Sequence, residues 1–279
     1  TIQFFMSKDI DFYNNLQPFL ECKDHTVSAE VYQLMLNDEY DMLVTKPIPE
    51  NIEKYYKSED YISHTDSKKS LFDKVYQSVK NITLKRKLKL ISKCLLHQDS
   101  LSRPEKNILD VGAGTGDFLK VCKSNSWNVF GTEPDAGARN IAAKKGIVLQ
   151  KDLSKLIGQK FEIITLWHVL EHVENLSEYI SILKNMLADH GKLIIAVPNF
   201  KSDDANYYKE FWAAFDVPRH LYHFSRIAIN NLVSFENMKV IKTYPMLFDA
   251  FYVSLLSEKY KSGKMKPLRA FFIGCISNF

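Results

Sequence analysis

The stretch Asp110-Val111-Gly112-Ala113-Gly114-Thr115-Gly116 has the residue types and the spacing for ligand chemistry. An apolar run over 108–111 includes an acid near its end, and three glycines follow at alternate positions. Glycine accepts left-handed backbone and lets a ligand approach the main chain, so a strand that turns into a helix this way offers a resting place for a ligand. The spacing decides between ligands. A dinucleotide fingerprint reads GxGxxG, and its third glycine is replaced here by Asp117; a phosphate loop needs Gly-Lys-Ser/Thr, and none follows. Glu133 ends the next apolar run, and an acid there can accept hydrogen bonds from both hydroxyls of a ribose. The pattern therefore suits a nucleoside with little or no phosphate.

The elements that must position these residues alternate. Strands are expected over 108–111, 128–132, 147–149, 161–166 and 192–197, the fourth a continuous apolar run of the kind buried on both faces. Between them, helices are expected over 115–124, after Asp135 up to Gly146, and after Asn175 with Leu176, Ile180, Leu183 and Leu187 on one stripe. Asp189-His190-Gly191 reads as the turn before the last strand. Such alternation means a parallel sheet with helices on both faces, and ligands bind outside the carboxyl ends of its strands. Gly112–Gly116, Glu133, Asp152 and Trp167-His168 all fall at such ends.

Around this core the reading is coarser. Residues 1–50 are punctuated by Pro18, Pro47 and Pro49, with 44–49 read as a strand leaving into an extended link. Residues 51–97 read as helical, and the basic group Lys85, Arg86, Lys87, Lys89 and Lys93 as a solvated helix face. Residues 199–224 are aromatic-rich without periodicity. Ser225 is expected to cap a helix through Glu236 with Ala228, Leu232 and Phe235 inward, 239–244 to form a strand, and 247–279 to be helical. The division expected is a small module over 1–50, a helical lid over 51–100, a ligand-binding domain over 101–246 and a helical extension over 247–279. A net charge of +4 spread over many lysines does not point to nucleic acid, and no apolar run reaches the ~20 residues of a membrane span. The four cysteines are far apart with no CxxC pair, which suits reduced thiols in a cytoplasmic protein.

With these residues in place, the chain resembles the class I S-adenosylmethionine (SAM)-dependent methyltransferases. The resemblance rests on Leu109-Asp110-Val111-Gly112-Ala113-Gly114-Thr115-Gly116, Gly131-Thr132-Glu133-Pro134-Asp135, the run 161–173 ending in His168-Val169-Leu170-Glu171-His172-Val173, and Gly191-Lys192-Leu193-Ile194-Ile195-Ala196-Val197-Pro198-Asn199. It covers about residues 105–245 in order. It implies a Rossmann-like, doubly wound, mainly parallel α/β sheet of the seven-strand type, with SAM as cofactor and S-adenosylhomocysteine as product. The loop Gly112, Ala113, Gly114 and Gly116 would line the methionine and ribose, with Asp110 nearby. Glu133, followed by Pro134, would hold the ribose diol; Asp152 and Leu153 would flank the adenine; Trp167 and His168 would sit beside the reacting methyl group. Tyr61 and His64, on the N-terminal helical segment, would reach the methionine carboxylate.

The acceptor side is expected in the stretch 211–225. Its Pro218-Arg219-His220-Leu221-Tyr222-His223-Phe224-Ser225 resembles a subgroup that includes sugar C-methyltransferases, and His220 or His223 is the candidate base or acceptor ligand; local packing before the helix at Ser225 is the alternative. Glu171 and His172 read as residues that begin a helical region. Members of that subgroup often carry a CxxC zinc knuckle near the N-terminus, and the comparable segment Leu36-Asn37-Asp38-Glu39-Tyr40-Asp41-Met42 has no cysteine, so no metal is expected. The acceptor expected is a small molecule, with no membrane partner. RNA or protein methylation, resting only on the basic helix, and a non-catalytic SAM-binding module are the alternatives.

Overall fold

The computed structural model describes residues 11–56, 71–95 and 106–278. In chain order its strands are β1 (Leu16–Lys23), β2 (Val31–Asn37), β3 (Met42–Lys46), β4 (Asn107–Val111), β5 (Asn128–Thr132), β6 (Phe161–Trp167), β7 (Leu187–Ala196) and β8 (Tyr222–Phe224). Its helices are α1 (Leu71–Leu95), α2 (Asp117–Lys123), α3 (Ala136–Lys144), α4 (Leu176–Met186), α5 (Asp203–Tyr208), α6 (Arg226–Ser234), α7 (Leu247–Ser262) and α8 (Pro267–Ser277). The chain divides into two compact units: Glu59–Leu170 with Ile182–Val197, and Thr1–Ser58 with Glu171–Ser181 and Pro198–Phe279.

The first of these contains the glycine turn. Its sheet has the order β5-β4-β6-β7 with every pairing parallel, flanked by helices in the Rossmann-like manner. The apolar run of β6 leaves Phe161, Ile163, Ile164 and Leu166 inaccessible, as expected of a strand covered on both faces. Ile108, Leu119, Cys122, Trp127, Ala142 and Ile147 join Ile91 of α1 in one core cluster. Each fully buried Leu or Ile contributes about 1.5–3 kcal/mol. The chain runs from β4 to β5 on one side, then returns to place β6 on the other. This reversal is a topological switch point, and it leaves a crevice outside the carboxyl end of β4.

Three expectations are corrected here. The strand expected at 147–149 reduces to one parallel bridge between Thr132 and Gln150, with Val148 exposed. The turn at Asp189-His190-Gly191 lies inside β7: Phe161 pairs with Leu187 and Ile163 with Lys192, so residues 188–191 stand against Glu162 alone and the register shifts by three. Gly191 permits this, because a Cβ there would come 2.8 Å from the Phe161 carbonyl oxygen. The sheet has four strands among the described residues rather than seven.

In the other unit, an antiparallel sheet of order β1-β2-β3-β8 joins the N-terminal segment to a strand some 180 residues later, with Leu43 opposite His223. Residues 1–50, read as short mixed segments with a strand leaving into a link at 44–49, thus supply three of its strands. Its core gathers Tyr32, Leu34, Leu43, Tyr55, Phe200, Tyr208, Trp212 and Phe215. The aromatic stretch without periodicity becomes α5, short 3-10 turns and β8. Ser225 caps α6 as expected, its hydroxyl accepting from the Ala228 amide at 3.0 Å, and Ala228 and Leu232 are buried while Phe235 is not. Residues 239–244 form no strand; Ile241 and Tyr244 are exposed and the backbone has no ladder partner. The C-terminal segment is helical, as α7 and α8.

Candidate functional site

The glycine turn is shaped by backbone that only glycine adopts cheaply. Gly112, Gly114 and Gly116 have φ of +66°, +54° and +73°. A Cβ on Gly112 would meet Val169 Cγ2 at 2.5 Å, so this glycine is required by packing. A Cβ on Gly114 would meet nothing within 4 Å, so this one opens onto free space at the switch point. Gly116 leads into α2, whose first residue Asp117 is held by Lys80 at 2.6 Å and Lys145 at 2.7 Å. Ala113 donates its amide to the Thr132 carbonyl at 2.8 Å, which ties the turn to the end of β5.

Glu133 stands at the same place. One carboxylate oxygen accepts the Gly114 amide at 2.9 Å, and the other accepts the Asp135 amide at 3.0 Å. Both oxygens are thereby aimed across the turn, and each keeps lone-pair capacity for a further donor. Asp135 caps α3 by accepting from Ala138, and the Arg139 guanidinium holds the Glu133 and Pro134 carbonyls at 2.7 and 2.6 Å. Asp110 is buried on β4 and takes a hydrogen bond from the Thr165 hydroxyl at 2.6 Å. Burial drives its carboxyl up to about 7, against the Thr165 hydrogen bond and the Lys87 charge.

Trp167 ends β6 with its ring under the Lys87 ammonium at 4.1 Å and edge-on to Phe118. Its indole Nε1 is buried and has no hydrogen-bond partner among the described residues. His168 is exposed, with a φ of +59° and its amide bonded to the Ala196 carbonyl. Asp152 caps the 3-10 helix Leu153–Lys155 by accepting from Ser154, which holds its carboxyl below the usual range. Leu153 is buried. Asp110, Gly112, Ala113, Gly114, Gly116, Glu133, Pro134, Asp152, Leu153, Trp167 and His168 thus belong to one unit. Tyr61 and His64 lie outside the described residues.

The histidines His220 and His223 belong to the other unit, and their surroundings differ. Thr45 donates its hydroxyl to the His220 carbonyl at 2.6 Å, so toward His223 Nε2, at 3.0 Å, it can only accept. His223 therefore carries its proton on Nε2 and serves to join β8 to β3, with burial holding its ring well below its ordinary pKa. His220 Nδ1 faces the Ala214 carbonyl at 2.9 Å, so its proton is on Nδ1. Its Nε2 lone pair then points among carboxylates, 4.0 Å from Glu171 and 3.9 Å from Asp216. Burial first, and then the neighbouring His172, lower its pKa to about 4, so the ring is neutral at pH 7.

Glu171 and His172, read from sequence as the start of a helical region, lie in this same cluster. Glu171 is inaccessible, its carbonyl accepting the Leu221 amide at 2.8 Å. His172 packs its ring edge-on to His220 at 4.7 Å. Arg219 fastens the loop from beneath: its guanidinium bonds Asp216 at 2.9 Å and the Tyr55 carbonyl at 3.1 Å, and reaches Asp24 in the β1–β2 connection at 3.5 Å. The dipeptides Glu171-His172 and Arg219-His220 are the available signal, but nothing local in the sequence shows that they meet.

Fold and glycine turn together define an α/β protein with a crevice at its topological switch point. Residues 83–243 match the family model described as a methyltransferase domain, and the chain belongs to that family. Among solved structures it is similar to a magnesium protoporphyrin IX methyltransferase from Synechocystis PCC 6803 with bound S-adenosylhomocysteine, at 17% identity, 68% of this chain, 89% of that one and a TM-score of 0.50. It is also similar to the plantazolicin methyltransferase BpumL, at 15% identity, 66% and 72% coverage and a TM-score of 0.47. For an S-adenosylmethionine-dependent methyltransferase from Clostridium acetobutylicum the values are 22% identity, 35% coverage and a TM-score of 0.32, and this chain spans 44% of that protein's length. At such identities the likeness shows the fold. No curated protein sequence matches the chain. No helix among the described residues is long and apolar enough to cross a membrane.

Proposed function

We propose that this chain transfers the methyl group of SAM to a small-molecule acceptor. The observation that carries the reading is the Glu133 carboxylate, bridged between the Gly114 and Asp135 amides at the mouth of the switch point. In this reading Glu133 receives the ribose diol, and the open space over Gly114 admits the ribose and methionine. Asp152 and Leu153 flank the adenine beside Pro134. Trp167 and His168, at the end of β6, stand near the sulfonium, whose positive charge an indole face suits. Asp110 supports the turn from behind. Tyr61 and His64 are proposed for the methionine carboxylate on sequence grounds alone.

SAM supplies an electrophilic methyl group: the acceptor's lone pair forms the new bond while the carbon–sulfur pair returns to sulfur. The protein's work is alignment and exclusion of water, with a base needed only where the acceptor must lose a proton. Of the two candidate histidines, His220 suits the acceptor side, because its Nε2 lone pair is not used by a hydrogen bond. His223 is read as structural. The pattern Pro218-Arg219-His220 through Ser225, which resembles that of the sugar C-methyltransferase-like subgroup, is the reason for proposing a small acceptor. The basic helix gives little support to RNA, since Lys87 is already engaged on Trp167.

A crystal structure with S-adenosylhomocysteine tests the assignment. The expected result is a ribose diol on Glu133 and an adenine beside Leu153; a diol held elsewhere contradicts it. The space beyond the sulfur then reports the acceptor's size.

A further inference from the structure

We propose that Glu171, His172 and His220 form a binding site for a divalent first-row transition metal ion, with Zn2+ the best match. One ligand atom from each of the three lies within 4.8 Å of the others. All three belong to one compact unit, so the grouping is a property of that unit's own packing.

The hydrogen bonds behind the rings carry the argument. His172 Nδ1 lies 2.9 Å from the Arg219 carbonyl, and His220 Nδ1 lies 2.9 Å from the Ala214 carbonyl. A carbonyl only accepts, so each Nδ1 carries a ring proton, and at His172 the Tyr56 hydroxyl, 3.0 Å from the same nitrogen, accepts as well. The Nε2 of His220 lies 4.0 Å from the buried Glu171 carboxylate, and a ring nitrogen of His172 lies within 4.8 Å of both groups. All three side chains carry atoms that ligate a cation, two imidazole nitrogens and a carboxylate oxygen, gathered at one place. The same outer arrangement, a ligating histidine whose other nitrogen donates to a carbonyl, fixes tautomer and ring orientation in metal sites.

Charge and ligand type agree. Asp216, 3.9 Å from His220 Nε2, is engaged by the Arg219 guanidinium at 2.9 Å, and Glu171 is the carboxylate grouped with the two histidines. Two imidazoles and one carboxylate suit zinc and its neighbours better than magnesium or calcium, which prefer all-oxygen shells. Bonds of about 2.0–2.2 Å imply ligand atoms roughly 3.4 Å apart in a tetrahedron, a modest contraction of the separations present. Three protein ligands leave a fourth position for water or for an oxygen of another molecule. The expectation of no metal was drawn from the missing cysteine knuckle, which concerns a different place in the chain.

The test uses the untagged full chain, stripped with a chelator and titrated with Zn2+, with Mg2+ in parallel and with Co2+ followed by visible absorption. One Zn2+ per chain is expected, with Mg2+ much weaker and a Co2+ spectrum of low coordination number. His172→Gln, at a half-buried position, and Glu171→Gln are each expected to weaken Zn2+ binding by about 10–100-fold, while Cys22→Ser leaves it unchanged. Should a variant fail to fold, long-range proton–nitrogen spectra of the unmutated chain still decide: the Nε2 signals of two histidines should shift with Zn2+ while their Nδ1 atoms stay protonated. No Zn2+ binding by the folded chain, binding that survives His172→Gln, or a preference for Mg2+ overturns the proposal. None of these readouts depends on methyl transfer, so this site and the SAM reading stand or fall separately.

Discussion

Glu133 and Gly114 are joined by a 2.9 Å hydrogen bond from the glycine amide to the carboxylate, across the mouth of the turn that ends β4. The acid that would recognise a ribose is thus positioned by the same loop that leaves room for it. Truncating Glu133 should cost binding more than folding. Glu133→Ala is expected to weaken S-adenosylhomocysteine binding by about 10–100-fold, the loss of one or two hydrogen bonds to a charged group, and to lower stability by only about 1–2 kcal/mol. Calorimetric titration and chemical denaturation of the same variant separate the two. Unchanged affinity would remove Glu133 from the site.

Gly112 and Gly114 should respond differently to alanine. Both have positive φ, which costs about 1–2 kcal/mol for a residue with a Cβ. Gly112→Ala also drives its Cβ to 2.5 Å from Val169, which adds roughly 1–3 kcal/mol of overpacking. Gly114→Ala meets open space, so its larger effect should be on ligand affinity. Denaturant midpoints for the pair, beside titrations with ligand, check the contrast; equal stability losses would contradict it.

Asp110 should impose a pH dependence on stability. Burial raises its folded pKa to about 7, above the ordinary carboxyl value of 3.8. A group whose folded pKa is raised favours folding in its protonated form. Its contribution is complete below about pH 4 and is lost as pH rises toward 7. Asp110→Asn, which keeps shape without charge, is expected to flatten the melting-temperature profile across that window. A profile no flatter than that of the unmutated chain would show that Asp110 titrates normally.

Arg219 should matter through geometry as much as charge. It is buried, and its fork holds Asp216 while also bonding the Tyr55 carbonyl. Lysine keeps the charge and loses the fork, so Arg219→Lys is expected to destabilise the chain by about 2–4 kcal/mol. A loss under 0.5 kcal/mol by denaturant unfolding, within the range of an ordinary surface substitution, would contradict this reading.

What the sequence shows of this molecule follows the range of the forces involved. β4, β5, β6, the caps at Asp135 and Ser225 and the glycine turn are legible because each is set by neighbours within a few residues. The antiparallel sheet is not, because β3 finds its partner β8 only when Leu43 comes opposite His223. The same distance hides Thr45 behind the histidine pair, and hides the meeting of Glu171 and His172 with His220. At 239–244 an alternating pattern forms no strand among the described residues, and Ile241 and Tyr244 stay exposed. Looping out within β7 shows the reverse case: the turn residues were legible, but a ladder on either side absorbs them.

The measurement that bears most directly on the SAM reading is calorimetric titration of the unmutated chain with S-adenosylhomocysteine. One equivalent bound with micromolar affinity, abolished or greatly weakened by Glu133→Ala, is the predicted result. No heat of binding at millimolar ligand, from a chain shown to be folded, would contradict it.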